Sequence, residues 1–226
     1  MTRIVCISDT HEQHRAITVP DGDILIHAGD LTYTGGHEQL RSAMAWMASL
    51  PHAHKIFVAG NHDWGFDELT RDGYDNTATR ATLKYEAGAM GLVYLQDAAA
   101  DAAGLKVWGS ADQPEFCGWA FNRTGPELLA KWATIPEDVD IVVTHGPPYG
   151  IGDATKHGLN VGCKHLQSRL YSLTRLRMHV CGHIHEGYGH RRMSEPFNPD
   201  GVIHYVNASI CNVSYNPINA PIVVDL

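Results

Sequence analysis

The chain has 226 residues, of which 44% are hydrophobic and 19% charged, and its formal net charge is −8 at pH 7. Such a composition excludes a disordered or fibrous protein and fits a single globular α/β domain spanning residues 1–226. No apolar run nears the roughly 20 residues of a bilayer span. The acidic balance, with no basic run beyond Arg191-Arg192, argues against gripping duplex nucleic acid by its backbone.

Met1-Thr2-Arg3 leads straight into an apolar run, too short and strand-like for a signal peptide, so a cytoplasmic location is expected. Strands are predicted at 3–8 and 23–27, a helix at 38–49, a strand at 55–59, a helix at 80–89, and strands at 92–95 and 105–109. The stretch 111–123 reads as a long loop, where Phe116, Trp119 and Phe121 anchor it to the core or form a substrate-facing lid. A helix at 126–134 and a strand at 141–144 follow. The next helix, 163–174, places Leu166, Leu170 and Leu173 on one face. Strands at 178–181, 202–207 and 222–225 complete the chain. Its cysteines (Cys6, Cys117, Cys163, Cys181, Cys211) are odd in number and scattered, which points to five structural thiols rather than a disulfide framework or zinc ribbon.

Five short polar motifs each follow an apolar strand: Asp9-Thr10-His11, Gly29-Asp30, Gly60-Asn61-His62-Asp63, His145-Gly146-Pro147-Pro148 and Gly182-His183-Ile184-His185. A residue just past a buried strand is held rigidly yet reaches solvent. In Asp9-x-His11 and His183-x-His185 an extended backbone turns both end residues to one side. The glycines before Asp30, Asn61 and His183 suit tight turns or close backbone approach. One such motif means little, because Asp-x-His triplets arise by chance. Five in order describe a metal site.

Together these motifs resemble the signature of the calcineurin-like metallophosphoesterases. The stretches Thr144 to Pro148, Gly182 to Gly189 and Asn207-Ala208-Ser209 are further similar to the branch of metallophosphoesterase-domain-containing brain proteins. The resemblance implies a four-layer α-β-β-α sandwich of two mixed sheets flanked by helices. It also implies one metal on Asp9, His11 and His185, a second on Asn61, His145 and His183, and Asp30 bridging them. His62 would then reach the substrate while Asp63 orients its ring. Some members of the branch lack the histidine matching His183; this chain keeps it.

Imidazole, carboxylate and amide donors without thiolates suit two divalent ions such as Mn²⁺, Fe²⁺, Co²⁺ or Zn²⁺, with Mn²⁺ favoured. Such a pair would generate a bridging hydroxide and clamp the oxygens of an in-line displacement. The expected activity is phosphodiester hydrolysis on cyclic nucleotides or small nucleotide esters, with His62 as general acid. A phosphomonoesterase or protein phosphatase, a non-catalytic scaffold and an amide hydrolase are the alternatives. Nothing in the sequence fixes the oligomeric state. His14, His27, His37, His52, His54, His157, His165, His179, His190 and His204 match no ligand position and read as surface or satisfied core residues, with His14 a further candidate to touch substrate.

Overall fold

A computed structural model describes residues 1–194 and 201–226. In chain order its elements are β1 (Arg3–Ile7), β2 (Ile24–Ala28), α1 (His37–Ser49), β3 (His54–Val58), α2 (Thr77–Ala89), β4 (Val93–Tyr94) and β5 (Ala98–Ala102). Then come β6 (Leu105–Ser110), β7 (Gln113–Pro114), β8 (Asn122–Arg123), α3 (Gly125–Trp132), β9 (Ile141–Thr144) and α4 (Lys164–Ser172). The chain ends with β10 (Met178–Cys181), β11 (Gly189–Ser194), β12 (Val202–Asn207) and β13 (Ile222–Asp225).

Two mixed sheets form, ordered β13-β1-β2-β3-β4 and β11-β12-β10-β9-β6-β5. In the first, β1 to β4 run parallel and β13 is antiparallel to β1. In the second, β12, β10, β9 and β6 run parallel, with β11 and β5 as antiparallel edges.

Strand alternation sorts the side chains into three buried layers. Ile4, Cys6, Ile24, Ile26 and Val58 meet Val107, Ile141, Val143, Val180 and Val206 between the sheets. On the opposite face of the first sheet, Val5, Ile7 and Leu25 pack against Leu40, Met44 and Met47 of α1 and Leu83 of α2. Beyond the second sheet, Trp108, Val142 and Tyr205 pack against Leu128 and Trp132 of α3 and Leu166 and Leu170 of α4. The four-layer sandwich expected from the resemblance is what the chain forms.

Helix starts follow local chemistry. Thr124 and Glu127 build a capping box ahead of α3, the Thr124 N–H donating to Glu127 Oε2 at 2.7 Å. The Cys163 sulfur accepts from Leu166 N–H at 3.4 Å and so caps α4. Cys6, Cys181 and Cys211 are also buried, whereas Cys117 is exposed, which corrects the reading of all five thiols as structural. Among the described residues no helix is long and apolar enough to cross a membrane.

Candidate metal centre

Because β1, β2 and β3 are parallel in one sheet and β9 and β10 in the other, their C-terminal ends open on a common edge. There Asp9, Asp30, Asn61, His145 and His185 converge, although distant in sequence. Three groups have ligand atoms all within 4.8 Å of one another: Asp9 with His11 and His185, His11 with Asp30 and His62, and Asp9 with Asp30 and His145. Asp30 Oδ2 lies 3.7 Å from His11 Nε2 and 3.4 Å from His145 Nε2, so one carboxylate faces both sides of the cluster. Asn61 Oδ1 lies 3.0 Å from His145 Nε2. His183 belongs to none of the three groups, but its ring centroid is 5.0 Å from that of His145.

Backbone carbonyls aim the imidazoles. The Nδ1–H of His11 donates to Thr32 at 3.1 Å, that of His145 to Ala28 at 2.9 Å, and that of His185 to Asn212 at 2.9 Å. This pattern fixes the tautomer and leaves each Nε2 lone pair pointing inward. The inward atoms crowd together: His11 Nε2 to His185 Nε2 is 3.4 Å, and His145 Nε2 faces Asn61 Oδ1. Donor atoms converging in this way beside two buried carboxylates draw positive charge, whether protons on His145 and His185 or a metal cation in their place. The residues fit a pair of divalent ions.

The electrostatics agree. Burial alone would raise Asp9 and Asp30, yet Asp9 is held well below the usual carboxylate range by its bond to His185, and Asp30 below it by His145. Burial opposes charge on His145 and His185 too, but Asp30 lifts His145 to about 9, and the Asp9 bond lifts His185 to about 9. Burial, then the neighbouring His145, push His183 down to about 4. The pocket thus attracts positive charge wherever a donor atom meets Asp9 or Asp30.

Backbone strain accompanies this placement. Asp9, His11, Asp30 and His183 have φ of 52°, 41°, 55° and 65°, a left-handed region that L side chains avoid. Gly29, at φ 98°, also lies so near His145 that any Cβ there would strike the ring. A Cβ on Gly182 would run into Ser8 and the Asp9 carboxylate.

One expected role is not met. Asp63 does not orient His62. Its carboxylate accepts from Leu31 N–H (3.1 Å), Thr32 N–H (3.0 Å), Thr32 Oγ1 (2.8 Å) and Gly60 N–H (2.9 Å). It therefore clamps the loop after β2 to the loop after β3, and burial, then the charge of Asp30, raise it to about 6. The ring of His62 is fixed instead by Nδ1–H donating to the Tyr33 carbonyl at 2.7 Å and by a tilted contact with Trp119, with centroids 4.3 Å apart and planes at 30°. Its Nε2 stands 3.9 Å from Asp30 Oδ2.

The cluster forms the floor of a cavity of about 490 Å³ whose lining includes Asp30, Asn61, His62, His183 and His185. In the 111–123 loop the two readings divide by residue: Phe121 is buried, while Phe116 and Trp119 line the cavity. Sequence reading assigned no role to several supports: Ser209 Oγ donates to Asp9 Oδ2 at 2.8 Å, and Asn207 Nδ2 donates to Gly152 and Ile184 carbonyls at 2.9 Å each. Tyr33 and Tyr215 flank His11, with centroids 5.4 and 4.7 Å away. His14 does not line the cavity; it packs on Trp46 of α1 at 5.0 Å. His27 and His179 are core residues, bonded through Nε2 to Thr10 (3.0 Å) and Thr144 (2.9 Å), but each leaves a buried Nδ1 without a hydrogen-bond partner.

Comparison with known proteins gives this arrangement its class. Residues 2–187 match the family described as Calcineurin-like phosphoesterase, and the chain belongs to that family, whose members hydrolyse phosphate esters with a pair of metal ions. The Metallophosphoesterase domain-containing protein 1 of Homo sapiens and that of Mus musculus are each 41% identical over 246 residues, covering 100% of this chain and 71% of the relative. Among solved structures, the Phosphopantetheinyl Hydrolase of Mycobacterium tuberculosis has a TM-score of 0.55 at 13% identity, covering 97% of this chain and 95% of that one. The protein TT1561 of Thermus thermophilus has a TM-score of 0.56 at 14% identity, covering 91% and 88%. At such identities these two structures speak for the shared fold alone.

Proposed function

We propose that this chain, as one domain over residues 1–226, is a phosphodiesterase acting on cyclic nucleotides or small nucleotide esters. The observation carrying this reading is the position of the donor cluster at the floor of a cavity with aromatic and apolar walls. Trp119 and Phe116 come from one loop and Val213 and Tyr215 from another, which leaves room for organic groups on a phosphate seated at the floor.

In this reading Asp9, His11 and His185 would hold one ion, Asn61, His145 and His183 the other, and Asp30 would serve both. Four imidazoles, two carboxylates and an amide oxygen suit Mn²⁺, with Fe²⁺, Co²⁺ or Zn²⁺ as substitutes. A metal pair there would supply Lewis-acid chemistry toward a phosphoryl group and lower the pKa of a bound water. The protein does the rest. Carbonyls of Thr32, Ala28 and Asn212 each hold an Nδ1–H, so that Nε2 of these histidines is aimed at the floor. His62, locked by Tyr33 and Trp119 with Nε2 toward the floor, donates a proton to the departing oxygen.

The test compares turnover of bis-p-nitrophenyl phosphate and p-nitrophenyl phosphate with added Mn²⁺, followed by 2′,3′- and 3′,5′-cyclic nucleotides. Diester turnover exceeding monoester turnover supports the reading. The reverse order overturns it in favour of a phosphomonoesterase.

A further inference from the structure

The walls of the cavity carry an uneven charge. Among the described lining residues, the charged side chains above the donor cluster are two carboxylates, Glu115 and Glu186, and no Lys or Arg is present. Glu186 Oε1 accepts from Lys156 N–H at 3.0 Å, tying that carboxylate to the loop on the facing side.

Cations stand outside this lining. The Arg71 guanidinium lies over the Trp119 ring, 5.5 Å from its centroid. A second groove meets the cavity along Pro114, Glu115, Val161 and Gly162 and contains Arg123 and Lys164. Arg123 is already paired with the buried Asp112 at 3.1 Å, and the Lys164 ammonium sits over the Tyr149 ring at 4.9 Å. Glu115 lines both the cavity and that groove, where the two meet.

We infer that the cavity selects esters by the charge of the arm that is not released. Resting on the diesterase reading above, this makes the substrate a single-phosphate ester whose retained arm is uncharged or cationic and flat or apolar enough to lie along Trp119 and Phe116. Arms bearing further phosphate are rejected. Aromatic faces attract flat and cationic groups. The exposed carboxylates Glu115 and Glu186 repel a second anion at the mouth, and with solvent screening one such like-charge contact is worth about a few-fold in affinity, most at low salt.

Three p-nitrophenyl esters with a common leaving group test the idea on Mn²⁺-loaded protein: p-nitrophenyl phosphorylcholine, thymidine 5′-(p-nitrophenyl phosphate) and its 3′-phosphorylated derivative. The expected kcat/KM of the 3′-phosphorylated ester is several-fold below that of the thymidine ester at low ionic strength, with the choline ester less affected. Glu115→Lys shrinks the gap several-fold and Glu115→Gln shrinks it less. Equal rates on the last two esters, or a gap unchanged in Glu115→Lys, overturn the inference.

Calorimetric binding of thymidine 5′-phosphate and thymidine 3′,5′-bisphosphate gives a second readout that needs no turnover. Tighter binding of the monophosphate upholds charge selection even if no diester is hydrolysed, in which case the diesterase reading alone fails. Tighter binding of the bisphosphate sinks the selection rule and directs attention to the Lys164 groove.

Discussion

The ring of His145, at the exit of β9 in one sheet, donates through Nδ1–H to the carbonyl of Ala28, the last residue of β2 in the other, at 2.9 Å. One hydrogen bond therefore joins the two halves of the sandwich and points Nε2 of the same ring at Asp30 and Asn61.

His145→Ala removes both functions. Its metal content is expected to fall from two equivalents toward one, with turnover down by more than about 100-fold, since even the outer partners of metal ligands cost 10–100-fold. Elemental analysis beside a rate assay checks this. A chelator should lower the melting temperature of the wild type, because an ion bound only to the folded state stabilises it, and should lower it less in the variant.

His62→Asn separates an acid from a ligand. The His62 ligand atom lies with those of His11 and Asp30, so geometry alone permits either role. As general acid, its loss leaves both metal equivalents in place and lowers turnover by about 10²–10⁴. Wild-type turnover, or loss of an equivalent, would refute that role.

Asp63→Asn places an amide NH₂ among four donors that a carboxylate now receives. The expected cost is about 2 kcal/mol or more, as a buried donor meets a donor. Denaturant unfolding reads the loss. A variant of wild-type stability would show that the two loops do not depend on this clamp.

His27 and His179 set the acid limit of the fold. Burial drives both imidazoles down to about 3 in the folded chain, against an ordinary value near 6.5. Between those values the unfolded chain binds protons that the folded one refuses. Stability is therefore full above about 6.5 and falls as pH drops toward 3, by about 1.4 kcal/mol per pH unit for each ring. His179→Gln retains an amide donor for Thr144 and removes one ring's share of that slope. Urea titrations at neutral and mildly acidic pH measure the difference, and an unaltered slope would mean that His179 is not the neutral buried ring described.

Most of this was readable from residues. Strand exits marked by Asp9, Asp30, Asn61, His145 and His183 stood out because apolar runs end abruptly in polar triplets. What stayed hidden lacked such contrast. β5 is Ala-Ala-Ala-Asp-Ala, with no β-branched residue to signal a strand, and β11 carries His190, Arg191 and Arg192 along an edge where apolar alternation is weak. The partner of Asp63 was misassigned because sequence adjacency to His62 says nothing about where a carboxylate points. Ser209 reaches Asp9 across 200 positions, a contact that only folding creates. The 111–123 loop defied a single description because Phe121 is buried while Phe116 and Trp119, a few residues earlier, face the cavity.

The left-handed turns at Asp9, His11, Asp30 and His183 set durability against use. Each asks on the order of 1 kcal/mol from the rest of the fold. Glycine at Asp9 would relieve the torsion but strip Ser209 Oγ and the His183 N–H of their acceptor, so the strained corner is held by the very bonds that place the carboxylate.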